Sequence, residues 1–165
     1  MLKKIIFIFL LILISNTKLF AEWNLESGKI SMPKNYDVGN LSKFKKGVKL
    51  TKSGEKFEKK NKIKKAKKKY EKALDYFLIA NKERQGDVEI LSYLGFISTK
   101  LGNINNAEIY YLLGLSIDPE HLEINGHLGE LYFRSNRIDL ANERLKILEN
   151  CNCIQYTFLK EIITQ

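Results

Sequence analysis

One six-residue pattern recurs three times in this chain and dictates what it can fold into. Asn/Gly-x-Ile-x-x-Ala reads Asn61-Lys62-Ile63-Lys64-Lys65-Ala66, then Gly102-Asn103-Ile104-Asn105-Asn106-Ala107, then Asn136-Arg137-Ile138-Asp139-Leu140-Ala141, at spacings of 41 and 34 residues. A glycine precedes each pattern by seven residues: Gly54, Gly95 and Gly129. Tyr70, Tyr111 and Leu145 follow each alanine by four, and Ala73, Gly114 and Leu148 follow by seven. Self-similarity at this period means stacked supersecondary units, each burying its apolar face against the next.

The columns have physical roles. Asn61, Gly102 and Asn136 are expected at the turn between two helices, because Asn and Gly tolerate the left-handed backbone that ends a helix. Gly54, Gly95 and Gly129 fall inside the first helix of each pair, where glycine costs about 1 kcal/mol against alanine. Close approach of the second helix explains a repeated cost, with Ala66, Ala107 and Ala141 as the matching small residues. Ile63, Tyr70 and Ala73 share one helical face, as do Ile104, Tyr111 and Gly114. The spacing of 41 exceeds 34 by seven residues. Seven residues are two turns, so the second helix of unit one lengthens without rotating its stripe. That helix is expected from about Lys62 to Arg84, with Tyr70, Ala73, Phe77 and Ala80 inward. Asp118-Pro119 stops the second helix of unit two.

The spacing resembles the tetratricopeptide repeat, a 34-residue helix–turn–helix unit. Leu91, Leu94, Gly95, Gly102, Ala107, Tyr111, Gly114 and Pro119 fall at that family's signature positions. The third unit keeps Leu128, Gly129, Tyr132 and Ala141, with Asn125 and Cys153 replacing an apolar residue and the proline. The first keeps Leu50, Gly54, Phe57, Ala66, Tyr70 and Ala73 and lacks the proline. The resemblance implies an all-α, right-handed helical-repeat solenoid. Its units would be 47–86, 87–120 and 121–153, with a capping helix over 154–165. Tyr156, Leu159, Ile162 and Ile163 suit a helix covering the last unit.

The N-terminus reads as an export signal. Lys3 and Lys4 precede an apolar run from Ile5 to Ile14, ten residues long, half of the about 20 that span a bilayer. Cleavage is expected after Ala21, so residues 1–21 are a signal peptide and the mature protein is periplasmic; the alternative is an uncleaved anchor. Residues 22–46, with Gly28, Pro33 and Gly39, read as a flexible lead-in.

Charge is unevenly placed. Residues 22–86 hold 19 basic and 8 acidic side chains, and residues 87–165 hold 6 and 11. Within 43–72 there are 15 lysines and three acids. Aromatic stacking residues are sparse there and export removes the chain from nucleic acid, so no nucleic-acid partner is expected. An anionic envelope surface is the better partner for such a hairpin; a solvated helical coat is the plainer reading.

No catalytic constellation appears, and no cofactor or metal is expected. There is no Gly-rich phosphate loop and no Gly-x-Ser-x-Gly elbow. His121 and His127, six apart, share no helix face, and His121 is expected to be solvated. Cys151-Asn152-Cys153 is the unusual local feature. In an oxidising compartment a structural disulfide fixing the exit from the last repeat leads; free thiols, a redox pair and a copper(I) site stay open. The same tail resembles the ending of small exported alphaproteobacterial tetratricopeptide proteins.

The family resemblance also implies a concave groove lined by the first helices, holding a protein or peptide segment. By position the lining is Thr51 and Glu55, then Ser92, Phe96, Thr99 and Lys100, then Glu123, Glu130, Phe133 and Arg134. Phe96 and Phe133 would anchor an apolar side chain, and Lys100 and Arg134 would pair with acidic side chains of the segment.

Overall fold

The computed structural model describes residues 38–164, with side chains from residue 41. The expected signal at 1–21 and the lead-in up to residue 37 lie outside the described residues. Among the described residues seven helices follow one another: α1 (Val38–Glu58), α2 (Ile63–Glu83), α3 (Val88–Lys100), α4 (Ile104–Ile117), α5 (Leu122–Arg134), α6 (Ile138–Ile147) and α7 (Ile154–Ile163). Among the described residues there is no strand, and no helix is long and apolar enough to cross a membrane. α1 packs along α2, α3 along α4 and α5 along α6; α2 leans on α3, α4 on α5, and α7 lies over α5 and α6. The first helices also meet directly, α1 with α3 and α3 with α5. The architecture is an all-α helical-repeat solenoid of three helix–turn–helix units and a capping helix.

The turns are three copies of one device. Asn61, Gly102 and Asn136 have φ of 53°, 81° and 58°. In each, the next amide donates back five residues: Lys62 to Phe57, Asn103 to Ser98 and Arg137 to Tyr132, all at 2.8 Å. That bond occupies a carbonyl the ending helix leaves open. Asn136→Gly should hold or raise stability by a few tenths of a kcal/mol, while Asn136→Ala should lose about 1 kcal/mol, because a Cβ makes the left-handed region unfavourable. Urea midpoints of the two variants check this.

The glycine column answers to the aromatic column, not to the alanines. A Cβ on Gly54 would come within 3.0 Å of the Tyr70 ring, and one on Gly95 equally close to Tyr111. Both rings are 1% exposed. In unit three the aromatic position is Leu145, and the space above Gly129 is taken by Leu159 of α7. The capping helix thus supplies the wedge that the unit lacks. Ala66, Ala107 and Ala141 are buried as expected. Ile63 and Ile104, expected on the inward stripe, are 58% and 38% exposed in the first turn of their helices.

The two extra turns of α2 changed its partner as well. Ala66, Tyr70, Ala73, Phe77 and Ala80 form the predicted inward stripe. Because α1 runs antiparallel to α2, a longer C-terminal half of α2 needs a longer N-terminal half of α1. α1 therefore begins at Val38, and residues 38–46, expected in the lead-in, are helical. Phe44 meets Phe77 edge-on at 5.8 Å and Tyr93 at 5.6 Å. Asn125, which breaks the apolar pattern of unit three, is fully buried and satisfied. It donates to the carbonyls of Pro119 and His121 at 2.9 and 3.1 Å and accepts from Arg144 at 3.4 Å. Burying an amide is tolerable only with such partners.

Candidate functional site

α1, α3 and α5 form one layer, and the predicted lining residues all lie on it. Their states differ from the expectation. Thr51 and Ser92 are 2% and 3% exposed. Thr51 donates to the Gly47 carbonyl at 3.1 Å. Small hydroxyls at these positions turn into the packed layer, so neither residue can meet a bound segment. Thr99 donates to the Gly95 carbonyl at 3.0 Å, so its hydroxyl turns back onto its own helix. Phe96 and Phe133 are half-buried. Both pack against the core with part of the ring left accessible.

The cations of the wall are already engaged. Lys100 donates to Glu58 at 2.9 Å and lies 5.4 Å above the Phe96 ring. Arg134 donates to Glu130 at 2.8 Å. Neither is a vacant receptor for a partner's carboxylates. The unpaired charge around Tyr93 is negative. Glu55 and Glu123 have no ion pair among the described residues, and Glu89 meets only His121, at 3.4 Å. These three carboxylates surround Tyr93, whose phenol is pushed above 10.0 by burial first and by Glu123, Glu89 and Glu55 after it. Tyr93 itself stacks on Phe77 at 4.8 Å. The surroundings of Tyr93 are aromatic and acidic.

Tyr93 and His127 were missed from sequence, although both stand two residues before a repeat glycine. His127 lies between Phe96 and Tyr111, with ring centroids 5.1 and 6.2 Å away. Loss of hydration lowers its pKa below 6.5, against the opposing pull of Glu130 and Glu123. A base depressed in the folded state binds its proton more readily when unfolded. Stability from His127 is therefore full above about pH 6.5 and declines as pH falls through the window below it. His127→Phe should flatten the loss of urea midpoint between about pH 7 and pH 5. His121, expected to be solvated, caps α5 instead: its Nδ1 accepts from the Ile124 amide at 3.4 Å.

Cys151 and Cys153 form a close sulfur pair, with Cα atoms 5.1 Å apart, at the step from α6 to α7. Asn152 between them has φ 46°, which supplies the bend. A depression of about 460 Å³ is walled by Lys65, Lys68, Lys69 and Lys72 of α2, interrupted by Glu71 and Asp75, with Phe57 of α1.

The geometry is matched by known proteins. The family model described as Tetratricopeptide repeat matches residues 89–121, nearly all of unit two. The solution structure of the first tetratricopeptide domain of human RPAP3 superposes with a TM-score of 0.55 over 73% of this chain and 92% of that one, at 17% identity. Its fold is that of a tetratricopeptide domain, and residues 89–121 carry that repeat's sequence pattern. The C-terminal repeat domain of a Plasmodium falciparum protein described as FK506-binding aligns over 78% of this chain and 93% of that one, at 23% identity and a TM-score of 0.48. No curated protein matches the chain. Units one and three lie outside the matched stretch and share with unit two the glycine and turn columns.

Proposed function

We propose that this protein is an exported adaptor that holds a basic, partly apolar segment of another protein along α1, α3 and α5. Phe96 and Phe133 would take an apolar side chain, and Glu55, Glu89 and Glu123 the segment's lysines or arginines. One observation carries the reading: Lys100 and Arg134 are neutralised internally by Glu58 and Glu130, while the carboxylates around Tyr93 hold no lysine or arginine. This reverses the charge of segment expected from sequence. No chemistry is assigned to the site. Export rests on residues 1–21, and the Cys151–Cys153 pair suits an oxidising compartment.

A photo-crosslinker at Phe133, with a control probe at exposed Lys60, tests the groove in living cells. Capture of a discrete partner from Phe133 alone, lost when Glu89 and Glu123 are both changed to lysine, supports it. Equal capture from Lys60, or capture that survives the charge reversal, sinks it. A second reading, adhesion to an anionic envelope surface, is favoured by Lys45, Lys49, Lys52 and Lys56. They form one exposed line along α1 with no ion pair among the described residues. It predicts salt-sensitive co-sedimentation with anionic vesicles.

A further inference from the structure

The outer face of α4 is apolar in a way the repeat does not require. Ile109, Leu112, Leu113 and Ile117 are 55%, 47%, 49% and 49% exposed and lie on one stripe. Counting from the repeat alanine, the same positions in unit one are Lys68, Glu71, Lys72 and Tyr76, and in unit three Glu143, Lys146, Ile147 and Cys151. The isoleucine three residues before each alanine is exposed in all three units, so that position belongs to the fold. The stripe belongs to unit two alone. Contiguous exposed apolar surface of this kind marks a contact site.

The flanking charges say what covers it. At the position two before the alanine, α2 carries Lys64 and α6 carries Asp139. Two after it they carry Lys68 and Glu143, and five after it Glu71 and Lys146. All six are exposed. The signs oppose at every one of these heights. Lys64, Lys68 and Glu71 have no ion pair among the described residues, and Glu143 meets only its neighbour Arg144, at 3.6 Å.

We infer that the outer face of α4 binds a second copy of this chain about a two-fold axis running along α4. Such an axis lays the two α4 stripes together and preserves height along the helices. It sets α2 of each protomer over α6 of its partner, so all three charge pairs form twice. A two-fold contact is self-complementary by construction. The alternative axis, across the helices, would lay the seven lysines of each α2 against themselves. An apolar centre with paired charges at its rim is the anatomy of a specific interface. An anionic bilayer would attract α2 and repel Asp139 and Glu143, so the second copy suits both flanks. The groove layer is left open.

Sedimentation equilibrium on the full chain, as the cell yields it, tests the proposal. The expected result is a dimer that Leu113→Glu dissociates at least about a hundredfold, with unchanged helix content and melting point. Lys68→Glu and Glu143→Lys should each weaken the dimer about tenfold, and the double reversal should return it to within about threefold of the original. A monomer at up to about 0.5 mM overturns the proposal. So does a double reversal no better than the single ones, or a monomer whose vesicle binding needs Leu113.

Discussion

Gly95→Ala should destabilise the protein by about 2 kcal/mol, although alanine is the better helix former by about 1 kcal/mol. The added Cβ would fall within 3.0 Å of three atoms of the Tyr111 ring. That ring is 1% exposed and packed on every side, so it cannot swing away. Overpacking by one methyl against an immobile ring is worth roughly 1–3 kcal/mol, near the upper end here and enough to outweigh the propensity gain. Two controls separate clash from backbone. Gly102→Ala meets no atom within 4 Å but sits at φ 81°, so it should lose about 1 kcal/mol by strain alone. Tyr111→Leu borrows the residue that unit three carries at this position. In that background Gly95→Ala should lose at least about 1 kcal/mol less than in the native one. Urea unfolding followed by circular dichroism gives all four values, and additivity of Gly95→Ala and Tyr111→Leu would refute the packing account.

That contact shows where sequence reading stops. Asn61, Gly102 and Asn136 were legible because a left-handed φ is a one-residue property. The stripe from Tyr70 to Ala80 was legible because a helix repeats its face every seven residues. Which side chain fills the notch over a glycine depends on how far a tyrosine projects from the facing helix, and spacing does not encode reach. The groove residues were legible as positions and not as states. Thr51 and Ser92 occupy lining positions, yet their short side chains sink into the layer. Lys100 is neutralised by Glu58, 42 residues earlier, through a pairing that exists only once the units stack. Tyr93 and His127 could have been found, since both keep a fixed offset from a repeat glycine. The early start of α1 was implied by the two extra turns of α2, because antiparallel partners must lengthen together.

Leu159→Ala should be the other strongly damaging change, at about 3 kcal/mol. Leu159 is fully buried and its two methyl groups occupy the space above Gly129. A second anchor of α7 is Gln155 on Gly126, where a Cβ would stand 3.0 Å from the Gln155 Cβ. A third is Ile163 against the core of units two and three. A terminal helix could fray alone, leaving the main transition untouched. The geometry argues otherwise, because unit three has Leu145 where the other units have a tyrosine and depends on α7 to close its notch. Solenoid stability is a sum of unit and interface terms, and losing the last interface exposes the last unit. One cooperative urea transition with a lowered midpoint is therefore expected, not an early loss of ten helical residues followed by a native-like unfolding. Gly129→Ala sharpens the test. Alone it should destabilise, because its Cβ collides with Leu159. With Leu159→Ala already present that collision is gone, leaving the Arg144 Cβ at 3.2 Å, and part of the propensity gain of about 1 kcal/mol should show as restored stability. If Gly129→Ala has the same effect in both backgrounds, Leu159 is not the wedge that completes the third unit.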